Sequence, residues 1–83
     1  MNKDDDTYQP IPCAIYDTYE LAIMRRQQLR ASWHDDDGME HIDHLEPVDL
    51  QTRSGVEYLI VNTSENEVRW LRLDRIIQTT PLG

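Results

Sequence analysis

Three histidines, His34, His41 and His44, fall within one short stretch beside the run Asp35-Asp36-Asp37-Gly38, a set of residue types that could hold a metal ion. If Asp37-Gly38 centres a two-residue turn, His34 pairs across a hairpin with His41. His41 and His44, however, belong on opposite faces of one strand, because side chains alternate along a strand. No second cysteine and no fixed carboxylate completes a tetrahedral set. The aspartate run resembles the start of a calcium loop, but with Gly38 at the sixth position Trp33 would be the first ligand and His44 the twelfth, where carboxylates are needed. The residues therefore predict no metal and no cofactor.

Other chemistry is equally sparse. Cys13 sits beside Pro10 and Pro12 rather than at a helix N-terminus, where a thiolate would be stabilised. Ser, His and Asp show no spacing tied to a nucleophile turn, and Gly-rich phosphate loops are absent. Among the many carboxylates no pair stands out whose surroundings would push two pKa values apart. The expectation is a protein that is not an enzyme. Trp33, Trp70, Tyr8 and Tyr19 could stack nucleobases, but Trp70 alternates with Val68 and reads as core, while Trp33 near a hairpin tip reads as half exposed. Arg69, Arg72 and Arg75 are the only basic cluster outside the helix described below, and acids neighbour each of them.

Charge narrows the class of partner. The 83 residues carry a net charge of −8, unevenly placed: positions 31–50 hold seven carboxylates and no Lys or Arg, whereas positions 51–83 are balanced. Binding a polyanion requires Lys and Arg to replace its counterions, so this field disfavours nucleic acid and favours a basic partner, although acidity also maintains solubility. Cys13 has no disulfide partner in the chain, which fits a reducing cytoplasm. The acidic start, Met1 to Asp6, lacks the basic and apolar regions of a signal peptide, and no apolar run approaches membrane-spanning length. The expectation is a cytoplasmic protein with no membrane contact, and a chain this short forms one thin-cored domain over 1–83.

The elements that must position these residues follow from local pattern. Residues 1–12 read as an extended arm interrupted by Pro10 and Pro12. A helix over about 17–28 begins with Asp17 as N-cap, Glu20 closing a capping box and Tyr16 with Leu21 as a hydrophobic staple. Leu21, Ala22 and Leu29 lie towards one face, and Arg25, Arg26 and Arg30 near its C-terminus suit the helix dipole. Five short strands fill about 29–78. Leu29–Trp33 leads through a turn at Asp36-Asp37-Gly38 to Met39–Leu45, which Pro47 ends or bends. Ser54-Gly55 turns into Glu57–Val61, Ser64-Glu65-Asn66 into Val68–Leu73, and Asp74 breaks the chain before Arg75–Gln78. Residues 79–83 read as a tail. A small sheet that can bury only one face is predicted to curl, so the fold class is α+β, mainly β: one N-terminal helix and a five-stranded, strongly bent, partly open barrel of Sm-like or OB-like kind.

Over most of its length the chain resembles the Rof (YaeO) family of Rho-binding antiterminators. The resemblance is carried by Thr7-Tyr8-Gln9-Pro10-Ile11, Cys13, Tyr16-Asp17, Glu20-Leu21-Ala22, Asp49-Leu50, Val56-Glu57-Tyr58-Leu59 and Leu71-Arg72-Leu73-Asp74-Arg75-Ile76, whereas residues 23–48 match in layout rather than letter. It implies an Sm-like barrel with an N-terminal helix. It also implies an inhibitor of transcription termination factor Rho that binds the N-terminal RNA-binding domain of Rho and blocks RNA access to the primary RNA site. The matching surface comprises Tyr16, Asp17 and Glu20 at the helix start and Arg53, Ser54 and Gly55 in the loop before the third strand, where Ser54-Gly55 departs from relatives with a Lys. Asp17 and Glu20 are also explained as a helix cap alone. The alternative function is a divergent Sm-like RNA-binding protein. With this charge the expected free state is a monomer.

Overall fold

The fold is set by how few residues can be buried and by which strands can satisfy one another's backbone. A computed structural model describes residues 7–82. Helix α1 (Cys13–Arg25) is followed by strands β1 (Leu29–His34), β2 (Glu40–Arg53), β3 (Val56–Thr63) and β4 (Val68–Arg72), a 3₁₀ turn (Leu73–Arg75) and β5 (Ile76–Pro81). The strands form one antiparallel sheet in the order β4-β3-β2-β1-β5, so β4 and β5 are its two edges. One helix and a bent, unclosed five-stranded sheet is the expected class.

The helix starts earlier than its sequence signals predict. Pro12 occupies the N-cap position, with no side-chain cap, and its carbonyl accepts from the backbone N–H groups of Ile15 and Tyr16 at 3.0 and 3.1 Å. A proline is well placed at a helix start because the N–H it lacks would have no helical acceptor there. The expected capping box therefore lies inside the helix, and Asp17 and Glu20 point to solvent. The staple is absent too, since Leu21 is exposed and the buried face is Tyr19 and Ala22, flanked by half-buried Tyr16 and Ile23. The helix stops at Arg25 rather than near Gln28: Arg26 takes a left-handed conformation (φ 52°) and the Gln27 N–H reaches back to the Ala22 carbonyl at 2.9 Å.

β2 is one 14-residue strand and not a short return strand. Its first part pairs with β1 and its second with β3, and the register shifts between Pro47 and Asp49. A bulge is where a strand tolerates proline, and Pro47 is fully buried at this bend. Ser54 and Gly55, both at positive φ (53° and 79°), close the β2–β3 turn in the hairpin geometry that matches strand twist.

The expected tail is largely strand: Thr79, Thr80 and Pro81 pair with Ala31, Arg30 and Leu29, and the Leu82 N–H donates to the Gln28 carbonyl at 2.9 Å. Pairing along the free side of β1 orders a segment with no apolar pattern of its own. The expected arm and tail extend into residues 1–6 and Gly83, which lie outside the described residues. Of the arm, residues 7–12 form no regular element, yet Tyr8 and Ile11 pack on the core. That core is Tyr19, Ala22, Leu29, Ala31, Trp33, Leu45, Leu59, Val61, Leu71 and Leu73. The two tryptophans exchange their expected places: Trp33 is buried and Trp70 is 44% exposed.

Candidate functional site

Tyr16, Asp17 and Glu20 are brought to one side of α1 by helical spacing, and the packing of α1 on β2 adds carboxylates that local pattern could not place. Tyr16 packs its ring against the core. Its hydroxyl pKa is pushed up by burial and then by the negative charges of Glu57, Glu20 and Asp49, which share its surroundings. Asp49 lies on β2 just beyond the bulge, and its carboxyl is held below the usual range by Gln51 Nε2 at 2.7 Å and the Leu50 N–H at 2.8 Å. Asp49 therefore stays ionised through the neutral range.

Glu57, on β3, is tied to the N-terminal segment. The Tyr8 hydroxyl donates to Glu57 Oε1 at 2.9 Å, and burial together with this bond pushes the Tyr8 pKa up. The Arg72 guanidinium stands 5.8 Å from the centre of the Tyr8 ring and grips Asp74 with two hydrogen bonds, 3.0 Å from Nε and 2.7 Å from Nη2. Asp74 also accepts from the Gln9 N–H at 3.0 Å. Burial alone would raise the Asp74 pKa, but the bonds from Arg72 and Gln9 take it below its ordinary value. The chain segment before α1 is thus clasped to the sheet next to the acidic group.

Arg53, Ser54 and Gly55 are exposed at the β2–β3 turn. Arg53 makes no ion pair with Asp17 or Glu20. Its guanidinium lies 5.3 Å over the centre of the Trp70 ring instead, with Tyr58 edge-on to the same ring at 5.6 Å. The expected surface is therefore two groups with different chemistry: carboxylates around Tyr16, and a cation on an aromatic pair beyond the turn.

The carboxylate group occurs in a chain with close relatives. It is 40% identical over 72 residues to Protein rof of Escherichia coli (strain K12), covering 87% of this chain and 80% of that protein. Protein rof of Shigella flexneri matches to the same extent. The chain belongs to the Rof family. A WYL domain model also matches residues 14–81. Among solved structures, proteasome accessory factor B/C (PafBC) of Arthrobacter aurescens superposes with a TM-score of 0.77 at 22% identity, over 94% of this chain but only 13% of that one, a likeness of fold alone.

Elsewhere in this member of the Rof family the chemical candidates take other places. Cys13 is the first residue of α1, against the expectation from its prolines, and is exposed. His34 faces Glu40, and it is Trp33 that pairs with His41, because the β1–β2 connection is longer than a two-residue turn. Asp35 organises that connection: its carboxylate accepts from the Asp37 and Met39 N–H groups at 2.9 and 3.0 Å and meets His41 Nε2 at 2.7 Å. His41 also stacks on Trp33. Among the described residues no three His, Cys, Asp or Glu side chains converge as metal ligands, and no helix is long and apolar enough to cross a membrane. Sequence reasoning missed Asp49, Glu57 and Trp70 as members of the surface. Asp49 and Glu57 do lie within the segments that carry the family resemblance.

Proposed function

We propose that this chain inhibits transcription termination factor Rho by binding its N-terminal RNA-binding domain through an acidic surface, blocking RNA access to the primary RNA site and so acting in antitermination. The observation that carries the reading is the grouping of exposed Asp17 and Glu20 with Asp49 and Glu57 around Tyr16, in a chain 40% identical to Protein rof. A protein surface that holds RNA offers basic and aromatic groups, and an acidic protein complements them electrostatically. Tyr16, Asp17 and Glu20 form one side of the contact, and Arg53, Ser54 and Gly55 the other. On this reading the sheet is an Sm-like partly open barrel, and the molecule is a binding protein rather than an enzyme. It needs no cofactor, is monomeric when free, and works in the cytoplasm, where Cys13 stays reduced.

The alternative, a divergent Sm-like RNA-binding protein, has one observation in its favour: the exposed Trp70 beneath Arg53. A single experiment separates the two. The protein is added to Rho already holding a C-rich RNA, beside a lane of RNA without Rho. Release of RNA in the first lane with no shift in the second is the expected result; a shift of RNA alone selects the alternative, and no release overturns the inhibitor reading.

A further inference from the structure

The sheet face opposite the core carries an aromatic patch that packing does not use. Leu59, Val61 and Leu71 point inward, so along β3 and β4 the alternating residues Tyr58, Ile60, Val68 and Trp70 point outward. Ile60 faces Trp70 across the strand pair, Val68 is 65% exposed and Trp70 44% exposed. Large apolar side chains gathered at the surface cost hydration free energy and mark sites of interaction. The patch is also braced. Tyr58 meets Trp70 edge-on, with ring planes at 66°, and Arg53 covers the indole. A ring already held in place loses little freedom when a partner arrives.

Arg53 differs from the three arginines that follow it. Arg69, Arg72 and Arg75 each reach a carboxylate, on Glu67, Asp74 and Asp36. Arg53 meets only the Trp70 ring among the described residues, which leaves its forked N–H donors open to an acceptor.

We infer that Trp70, Tyr58 and Arg53 form a second anchor for the protein partner proposed above, taking an apolar side chain of that partner on the two rings and a carboxylate on the Arg53 guanidinium. The inference rests on that reading of the partner. Trp, Tyr and Arg are the residue types that dominate binding energy at protein interfaces, and Arg53 opens the turn already assigned to the contact. Nucleic acid is disfavoured as occupant because the single guanidinium over this patch, in a chain of net charge −8, cannot replace the counterions of a polyanion. A second copy is disfavoured because both copies would carry that charge.

The test measures affinity for Rho at constant salt for the parent, Trp70→Ala, Arg53→Glu and the pair Asp17→Asn with Glu20→Gln, each first checked for unchanged thermal unfolding. In parallel, protein labelled with 5-fluorotryptophan is followed by fluorine NMR, the Trp70 signal being assigned with Trp70→Phe. Trp70→Ala and Arg53→Glu are each expected to weaken binding by about tenfold or more, and the Trp70 signal to shift or broaden with Rho while the buried Trp33 signal holds. If both variants bind within about twofold of the parent while the Asp17/Glu20 pair binds weakly, the second anchor is wrong and the partner reading survives. If the parent does not bind Rho, both fall. Movement of the Trp70 signal with RNA alone, or with protein concentration alone, overturns the inference in favour of an RNA site or self-association.

Discussion

The Tyr8 hydroxyl donates a 2.9 Å hydrogen bond to Glu57, which connects the segment before α1 to β3 beside the carboxylates that surround Tyr16. Tyr8→Phe removes this bond and keeps the ring under Arg72, so a loss of about 1 kcal/mol is expected, read as a lower midpoint in urea. The raised Tyr8 pKa also gives a pH signature. A group whose folded pKa lies above its unfolded value of about 10 stabilises the protein below that pH and loses the contribution as pH rises further. Unfolding of the parent should therefore become easier above about pH 10, and Tyr8→Phe should show a shallower decline; identical slopes would remove Tyr8 as the cause.

Asp74 carries the opposite sign. Arg72 and the Gln9 N–H hold its pKa below the ordinary carboxylate value, so the clasp is intact above about pH 4 and is lost as pH falls through the folded pKa. Asp74→Asn removes the carboxylate charge that Arg72 grips in a site where both side chains are nearly buried, at 12% and 9% exposure. Breaking such a pair costs roughly 3 kcal/mol. Urea unfolding of this variant should show a stability loss of that order at neutral pH that shrinks towards pH 3.

Asp17 makes no cap hydrogen bond, so it can be tested simply. Asp17→Ala should change stability by less than about 0.7 kcal/mol, in the direction of the better helix former. A loss near 1 kcal/mol, typical of a removed cap, would show that the helix starts at Asp17 in solution. Asp17→Asn with Glu20→Gln should likewise leave thermal unfolding in place and weaken binding to Rho; unchanged affinity would remove the electrostatic role of α1.

The two tryptophans should respond very differently. Trp33→Ala empties a site at 6% exposure and should cost about 3–5 kcal/mol, enough to unfold much of so small a domain. Trp70→Ala should cost under about 1 kcal/mol, the loss of one surface cation–π contact and one ring edge. Fluorescence of Trp70→Phe should retain mainly the blue-shifted emission of Trp33.

Several features of this protein are legible in its residues alone. The helix signals around Asp17 and Glu20, the turn chemistry at Ser54-Gly55 and Ser64-Glu65-Asn66 and the β-branched and aromatic run of β3 give one helix and five strands without any contact being known. The acidity of residues 31–50 is likewise plain, as are the segments that carry the Rof resemblance. Tertiary structure decided the rest. Alternation divides Val68, Trp70 and Leu71 between two faces but does not say which face is inside; the packing of α1 and β1 chose Leu71, leaving Trp70 outside and burying Trp33. The capping box at Asp17 is a valid local signal that lost to an earlier start at Pro12, and the packing of Tyr8 and Ile11 on the core draws the chain before the helix onto the sheet. β2 runs through Pro47, and β5 runs to Pro81, because neighbouring strands supply the pairing that their own residues do not advertise. Tyr16 is far along the chain from Asp49 and Glu57, which share the β2–β3 hairpin, and only the packing of the helix on the sheet brings the three into a single acidic surface.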